Sequence, residues 1–162
     1  MCIRDSYMDE YQLVTQGEVF FVTELLTKYE GLERGPAGNT SLTAAITLAR
    51  QMDQDQIVVV QETEYTGAGK HQNAQLSFAR ENGIEVRRGD PAENVPGKSI
   101  VIPERLEQVW GKPQDMIRLR MSYLKNAARN HPVESWDEYD VNFVAEDLKT
   151  SPDWVRQHLT EI

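Results

Sequence analysis

The chain has 162 residues, of which 40% are hydrophobic, 27% charged and 8% aromatic. That suits one domain with its own core and excludes a collagen-like, low-complexity or disordered chain. No apolar run approaches the roughly 18 residues that span a bilayer, and a net charge of −9 argues against nucleic acid or an anionic membrane as partner.

Met1–Tyr7 lacks the apolar stretch of a signal peptide and shows no periodicity; it is set aside as a non-native leader, residues 1–7. The single cysteine, Cys2, excludes an internal disulfide framework and a cysteine-based zinc site. The expectation is a soluble, cytoplasmic protein. From Gly17, the apolar residues Phe21, Val22, Leu25, Leu26 and Tyr29 recur at helical spacing, and Gly31 stops the run. After the loop from Glu33 to Thr40, Asn39 or Thr40 can cap a second helix with the stripe Leu42, Ala45, Ile46, Ala49 and Met52.

Ile57-Val58-Val59-Val60 is a continuous β-branched run and predicts a strand buried on both faces, as in a parallel sheet. A polar stretch follows, then a helix from about His71 to Asn82 that Gly83 ends, then a short strand at Ile84-Glu85-Val86. This alternation belongs to a layered α/β domain. Prolines and glycines punctuate the chain beyond Gly89, with one strand expected at Ser99–Ile102. A helix is expected from Gln114 to about Arg129, with Ile117, Met121, Leu124 and Ala128 on one face. Two short helices close the chain. One holds Phe143, Val144 and Leu148; the other opens at Ser151-Pro152 with a cap and a first-position proline.

Charge divides the chain unevenly. Val133–Ile162 carries eight acids and two bases, a net of −6, which leaves −3 for the rest. Only Ile57–Val60 has clear parallel-sheet character, whereas a doubly wound sheet needs several such strands. The pattern therefore suggests the C-terminal part of a larger α/β protein. Core-type surface is then expected to lie exposed on the sheet side of the Leu42–Met52 helix and on the Ile57–Val60 strand.

The segment Gln61–His71 carries the densest set of reactive groups. Three hydroxyls, two carboxylates, two glycines, Lys70 and His71 follow a strand and precede a helix, where open α/β sheets bind ligands. Residue physics alone favours a polar surface loop, and Gly67-Ala68-Gly69-Lys70 lacks the spacing of a nucleotide-binding P-loop. Gly35–Ser41 could line an anion at a helix N-terminus, although a plain capped helix start explains it as well. His71, His131 and His158 show no metal spacing. The last two helices resemble a helix-turn-helix pair, but Arg156 is the only firm cation on the second, which favours a packing appendage over DNA binding.

Three long runs carry a resemblance: Val14–Ala45, Asp53–His71 and Phe78–Glu104. Across about Asp9–Asn130, the chain resembles the C-terminal part of the beta subunits of 2-amino-4-oxopentanoate thiolases. These are similar to threonine synthase and other fold-type-II pyridoxal-phosphate enzymes of the tryptophan synthase beta-like kind. The resemblance covers about three quarters of this chain and the last third or so of the family's. It implies a few-stranded parallel sheet flanked by helices over residues 8–130, with an acidic helical tail at 131–162 that matches less well. It also implies thiolytic cleavage of 2-amino-4-oxopentanoate by coenzyme A to acetyl-CoA and alanine, in ornithine degradation. The expected partners are an alpha subunit, CoA and the amino-keto acid substrate, in an oligomer; the expected cofactor is pyridoxal 5'-phosphate, which stores electrons from the substrate α-carbon.

Site residues follow by resemblance. In one branch of these enzymes, a serine in a Ser-Ala-Gly-Ser loop after Glu-Gly-Leu bonds the pyridine nitrogen. Here, Glu30-Gly31-Leu32 is followed by Pro36-Ala37-Gly38-Asn39, with proline in the serine's place. In the threonine-synthase branch, the hydroxyl comes from a Ser or Thr before Gly-x-Gly at a strand end. Thr66, followed by Gly67-Ala68-Gly69, matches that pattern, and Thr63 is its main rival because three extra residues separate strand and glycines. Glu62 is a third candidate, whose carboxylate would protonate the ring. The Schiff-base lysine and the phosphate loop lie upstream of this chain in the family, and Lys70 is not that lysine. The chain alone is therefore expected to be inactive and to bind the cofactor weakly. Two alternatives remain: another threonine-synthase-like lyase or synthase, and a non-catalytic binding or regulatory module.

Overall fold

The computed structural model describes residues 10–62 and 71–162; the expected leader lies outside them. The fold is α/β, with six α-helices and small two-stranded sheets among the described residues. The chain divides into two units, one spanning Gln12–Lys112 and the other built on Pro113–Ile162.

In the first unit, β1 (Gln12–Leu13) leads into α1 (Gln16–Glu30). Thr15 and Glu18 form a reciprocal capping box: the Thr15 N–H donates to Glu18 Oε2 at 2.7 Å, and the Glu18 N–H donates to Thr15 Oγ1 at 3.2 Å. Gly31 ends the helix in the left-handed conformation (φ 66°). The helix buries seven consecutive residues, Gly17–Thr23; of the expected stripe, Phe21 and Val22 lie among them, Leu25 and Leu26 are half-buried, and Tyr29 is exposed. The cause is a close approach. A Cβ on Gly17 would stand 1.7 Å from the Val101 carbonyl oxygen, so the first turns of α1 lie directly on a strand backbone.

That strand is β3 (Ser99–Ile102), buried along its whole length and paired in parallel with β2 (Glu85–Arg88), Val86 opposite Ile100 and Arg87 opposite Val101. α2 (Asn39–Ala49) packs on α1, and α3 (Gln72–Glu81) packs on β2. The core joins Phe20, Phe21, Val22, Leu76, Ile100 and Ile102. The face that α2 buries is largely polar: Asn39, Thr43 and Thr47 are buried with Ala45 of the expected stripe, while Leu42 and Ile46 are half-buried and Ala49 is exposed. Each threonine hydroxyl is satisfied there, Thr43 Oγ1 donating to the Asn39 carbonyl and Thr47 Oγ1 accepting from the Gly111 N–H.

The expected buried strand at Ile57–Val60 is corrected. These residues have no ladder partner among the described residues, and Ile57 and Val59 are 84% and 90% exposed. A strand needs a neighbour for its backbone groups, and β2 and β3 pair with each other.

β4 (Lys112–Pro113) pairs with β1. The second unit holds α4 (Met116–Asn130), α5 (Glu138–Asp147) and α6 (Pro152–Leu159) around Leu124, Val141, Val144, Ala145, Leu148 and Val155. Asp115, Asp137 and Ser151 cap the three helices, and Pro152 stands at the first position of α6. Of the apolar face expected on α4, only Leu124 is buried, and Ile117 is 59% exposed. Leu124 shares its core with α5 and α6, so α4 belongs to the same compact unit as the two C-terminal helices.

Candidate functional site

The segment Gly35–Ser41 and the first residue of the segment Gln61–His71 meet at the start of α2, where Ser41 bonds Gln61. Backbone turns build that start: the Asn39 N–H donates to the Gly35 carbonyl, and the Thr40 N–H to the Ala37 carbonyl. Gly38 is the N-cap, with no side-chain capping bond, so neither Asn39 nor Thr40 acts as the expected cap. Asn39 turns inward instead. It is fully buried, and its Nδ2 donates to Thr23 Oγ1 at 2.9 Å, which donates in turn to the Val19 carbonyl at 2.8 Å. Its Oδ1 is buried without a hydrogen-bond partner among the described residues.

Ser41 Oγ bonds the Gly38 carbonyl at 2.9 Å and the Gln61 carbonyl at 3.1 Å. It thereby ties the approach to residues 63–70 onto the helix start. One residue on, the Glu62 carboxylate stands 3.9 Å from Arg34 Nε, with only 19% of its side chain exposed. Burial of a carboxylate requires such a counter-charge. Where the chain is described again, His71 occupies the N-cap position of α3, without a side-chain capping bond, and lines a cleft of about 450 Å3 together with Arg34, Lys28, Glu33 and Thr27. Arg34 thus pairs with Glu62 and shares this cleft with His71. The cleft has the size of a small-ligand site and a mixed-charge lining. A second cleft, of about 460 Å3, is lined by Glu18, Asp90, Gln108 and Trp110. Two of its carboxylates serve structure: both Glu18 oxygens accept backbone N–H bonds, from Thr15 and Trp110, and Asp90 caps a short turn.

Of the candidate residues, Thr63, Thr66 and Gly67 lie outside the described residues, and Glu62 is placed as above. The histidines are not brought together. His158 stacks on Trp154 at 4.0 Å, and His131 lies 3.7 Å from Asp140. Among the described residues, no group of three or more His, Cys, Asp or Glu could hold a metal ion, and no helix is long and apolar enough to cross a membrane. On α6, Arg156 is bound to Glu138 at 2.6 Å and to Asp153 at 2.7 Å, and the Glu138 hydrogen bond raises its pKa further. The cation that DNA binding would require is thus neutralised within the unit. Sequence reasoning missed Arg34 and the inward turn of Asn39. The signal available was their place in the unusual loop between Leu32 and Ser41.

The chain is similar to two proteins named 2-amino-4-ketopentanoate thiolase beta subunit. One, from an unknown prokaryotic organism, is 56% identical over 156 residues, covering 96% of this chain and 33% of the relative. The other, from Acetoanaerobium sticklandii, is 50% identical over the same length and shares. The chain thus spans one third of the length of these relatives. No family model matches the chain, and no solved structure matches it significantly.

Proposed function

We propose that the chain is the C-terminal third of a pyridoxal-phosphate-dependent beta subunit that cleaves 2-amino-4-oxopentanoate (the 2-amino-4-ketopentanoate of the relatives' name) with CoA. The observation that carries this is the junction of Ser41 with Gln61 and of Arg34 with Glu62. It joins two of the three runs of family resemblance at Ser41–Gln61 and Arg34–Glu62, in a chain 56% identical to a protein of that name. The reaction breaks the bond between carbons 3 and 4: the acetyl group passes to the CoA thiol, and the three-carbon remainder takes up a proton as alanine. The relatives' designation as beta subunits supports an alpha-subunit partner.

The hydroxyl groups near this junction suit the ring end of the cofactor: Ser41 carries one at the start of α2, and the adjoining segment adds those of Thr63, Tyr65 and Thr66. When bound, pyridoxal phosphate supplies the electron sink for the substrate α-carbon. In this reading, the Thr66 hydroxyl is the partner of the ring nitrogen, and its neutrality leaves that nitrogen unprotonated. The Arg34 charge beside Glu62 supports Thr66 over Glu62, because it gives the carboxylate another partner. Gly67 leaves room for close backbone approach, and Ser41 holds Gln61, from which the chain runs on to that segment.

The test is acetyl-CoA formation by the full-length subunit together with its alpha subunit, given CoA and 2-amino-4-oxopentanoate. Thr66→Ala is expected to lower turnover about tenfold or more and to shift the cofactor's visible absorbance, while Thr63→Ala leaves both near the parent's values. The reverse pattern would assign the role to Thr63, and absence of acetyl-CoA would remove the thiolase reading. The 162-residue chain alone, mixed with pyridoxal phosphate, is expected to show no cofactor band beyond that of the free aldehyde.

A further inference from the structure

The six residues Ile57–Glu62 alternate strictly in exposure. Ile57, Val59 and Gln61 are exposed, whereas Val58, Val60 and Glu62 are half-buried. Period two is the pattern of a strand with one face laid on its own domain and the other open. The open face is apolar, with Ile57 84% and Val59 90% exposed. No backbone group of Ile57–Val60 bonds another backbone group among the described residues, and β2 and β3 are already paired. Four consecutive β-branched residues favour a strand and disfavour a helix. The other strongly exposed apolar side chains of this unit, such as Phe78 and Trp110, do not form such an alternating row.

We infer that Ile57–Glu62 is a docking strand, and that its occupant is an apolar β-strand from the part of the parent subunit that lies outside this chain. The relatives point to that occupant. They match 96% of this chain, yet two thirds of their length has no counterpart in it. Main-chain hydrogen bonds to the added strand hold the segment, and pockets for Ile57 and Val59 set its register. The inference rests on the reading of the chain as part of a longer subunit, but not on the reaction that subunit catalyses.

The experiment co-expresses this full chain with the unmatched two thirds of the 56%-identical relative, then measures co-purification and amide hydrogen exchange. Stable association and slowed exchange at Ile57–Glu62, relative to the chain alone, are expected. Ile57→Asp with Val59→Asp is expected to weaken association about tenfold or more, without changing the melting of the isolated chain, while Phe78→Asp leaves association intact. Failure to associate overturns the proposal. So does association with fast exchange at Ile57–Glu62, an undiminished double variant, or protection that arises in the chain alone by self-association. A protected complex without acetyl-CoA formation leaves the docking strand standing and removes only the thiolase reading.

Discussion

Ser41 Oγ donates a hydrogen bond to the Gln61 carbonyl across 3.1 Å, linking the first turn of α2 to a segment twenty residues further along the chain. Ser41→Ala removes that link and leaves the exposed carbonyl to water. The cost is modest, about 0.5–1.5 kcal/mol. Amide exchange at Val60–Glu62 is expected to accelerate, while exchange in β3 stays unchanged. Equal exchange in the two proteins would show that the bond does not restrain the approach to residues 63–70.

Gly17 and Val101 set a steeper requirement. A methyl group on residue 17 would meet the Val101 carbonyl oxygen at 1.7 Å, and the obstacle is backbone that cannot rotate aside. Gly17→Ala is expected to cost about 3 kcal/mol or more, by forcing α1 off β3. Gly111→Ala is the comparison, since its Cβ would stand 3.2 Å from Thr47 Oγ1 and Val14 Cγ1, both side-chain atoms that can yield. Urea denaturation followed by circular dichroism should rank Gly17→Ala well below Gly111→Ala; equal midpoints would contradict the close helix–strand contact.

Leu124 is fully buried between α4, α5 and α6, whereas Ile117 on the same helix is 59% exposed. Leu124→Ala is expected to cost about 2–5 kcal/mol through lost burial and the cavity left behind, and Ile117→Ala less than about 0.5 kcal/mol. Hydrogen exchange should show protection lost across Val141–Val155. If Leu124→Ala left those amides protected, the three helices would not share one core.

Local rules recovered most elements. Gly31 and Gly83 end helices in the left-handed conformation, and Ser151-Pro152 opens α6 as expected. The β3 strand falls on the residues its apolar run indicates. The failures have a common physical origin. The stripe expected on α1 held at Phe21 and Val22 but missed Gly17–Phe20 and Thr23 and overreached at Tyr29, because a helix seated on a strand backbone buries its whole first half. The cap expected from Asn39 went instead to Thr23, because a buried amide seeks the nearest fixed hydroxyl, here on another helix. The candidate site was legible as two unusual segments. That they meet, and that Arg34 faces Glu62, was not.

The sequence by itself determined the order of helices and strands, their caps and stops, the α/β class and the β-branched character of Ile57–Val60. These depend on neighbours within a few residues, where propensity and spacing act directly. Only the tertiary structure decided which faces are buried, that α4 joins the C-terminal helices and that Ile57–Val60 is left without a partner. Those outcomes depend on which distant backbone arrives first at each apolar face and at each unsatisfied N–H and C=O. For β3 the neighbour is β2, whereas Ile57–Val60 meets none among the described residues.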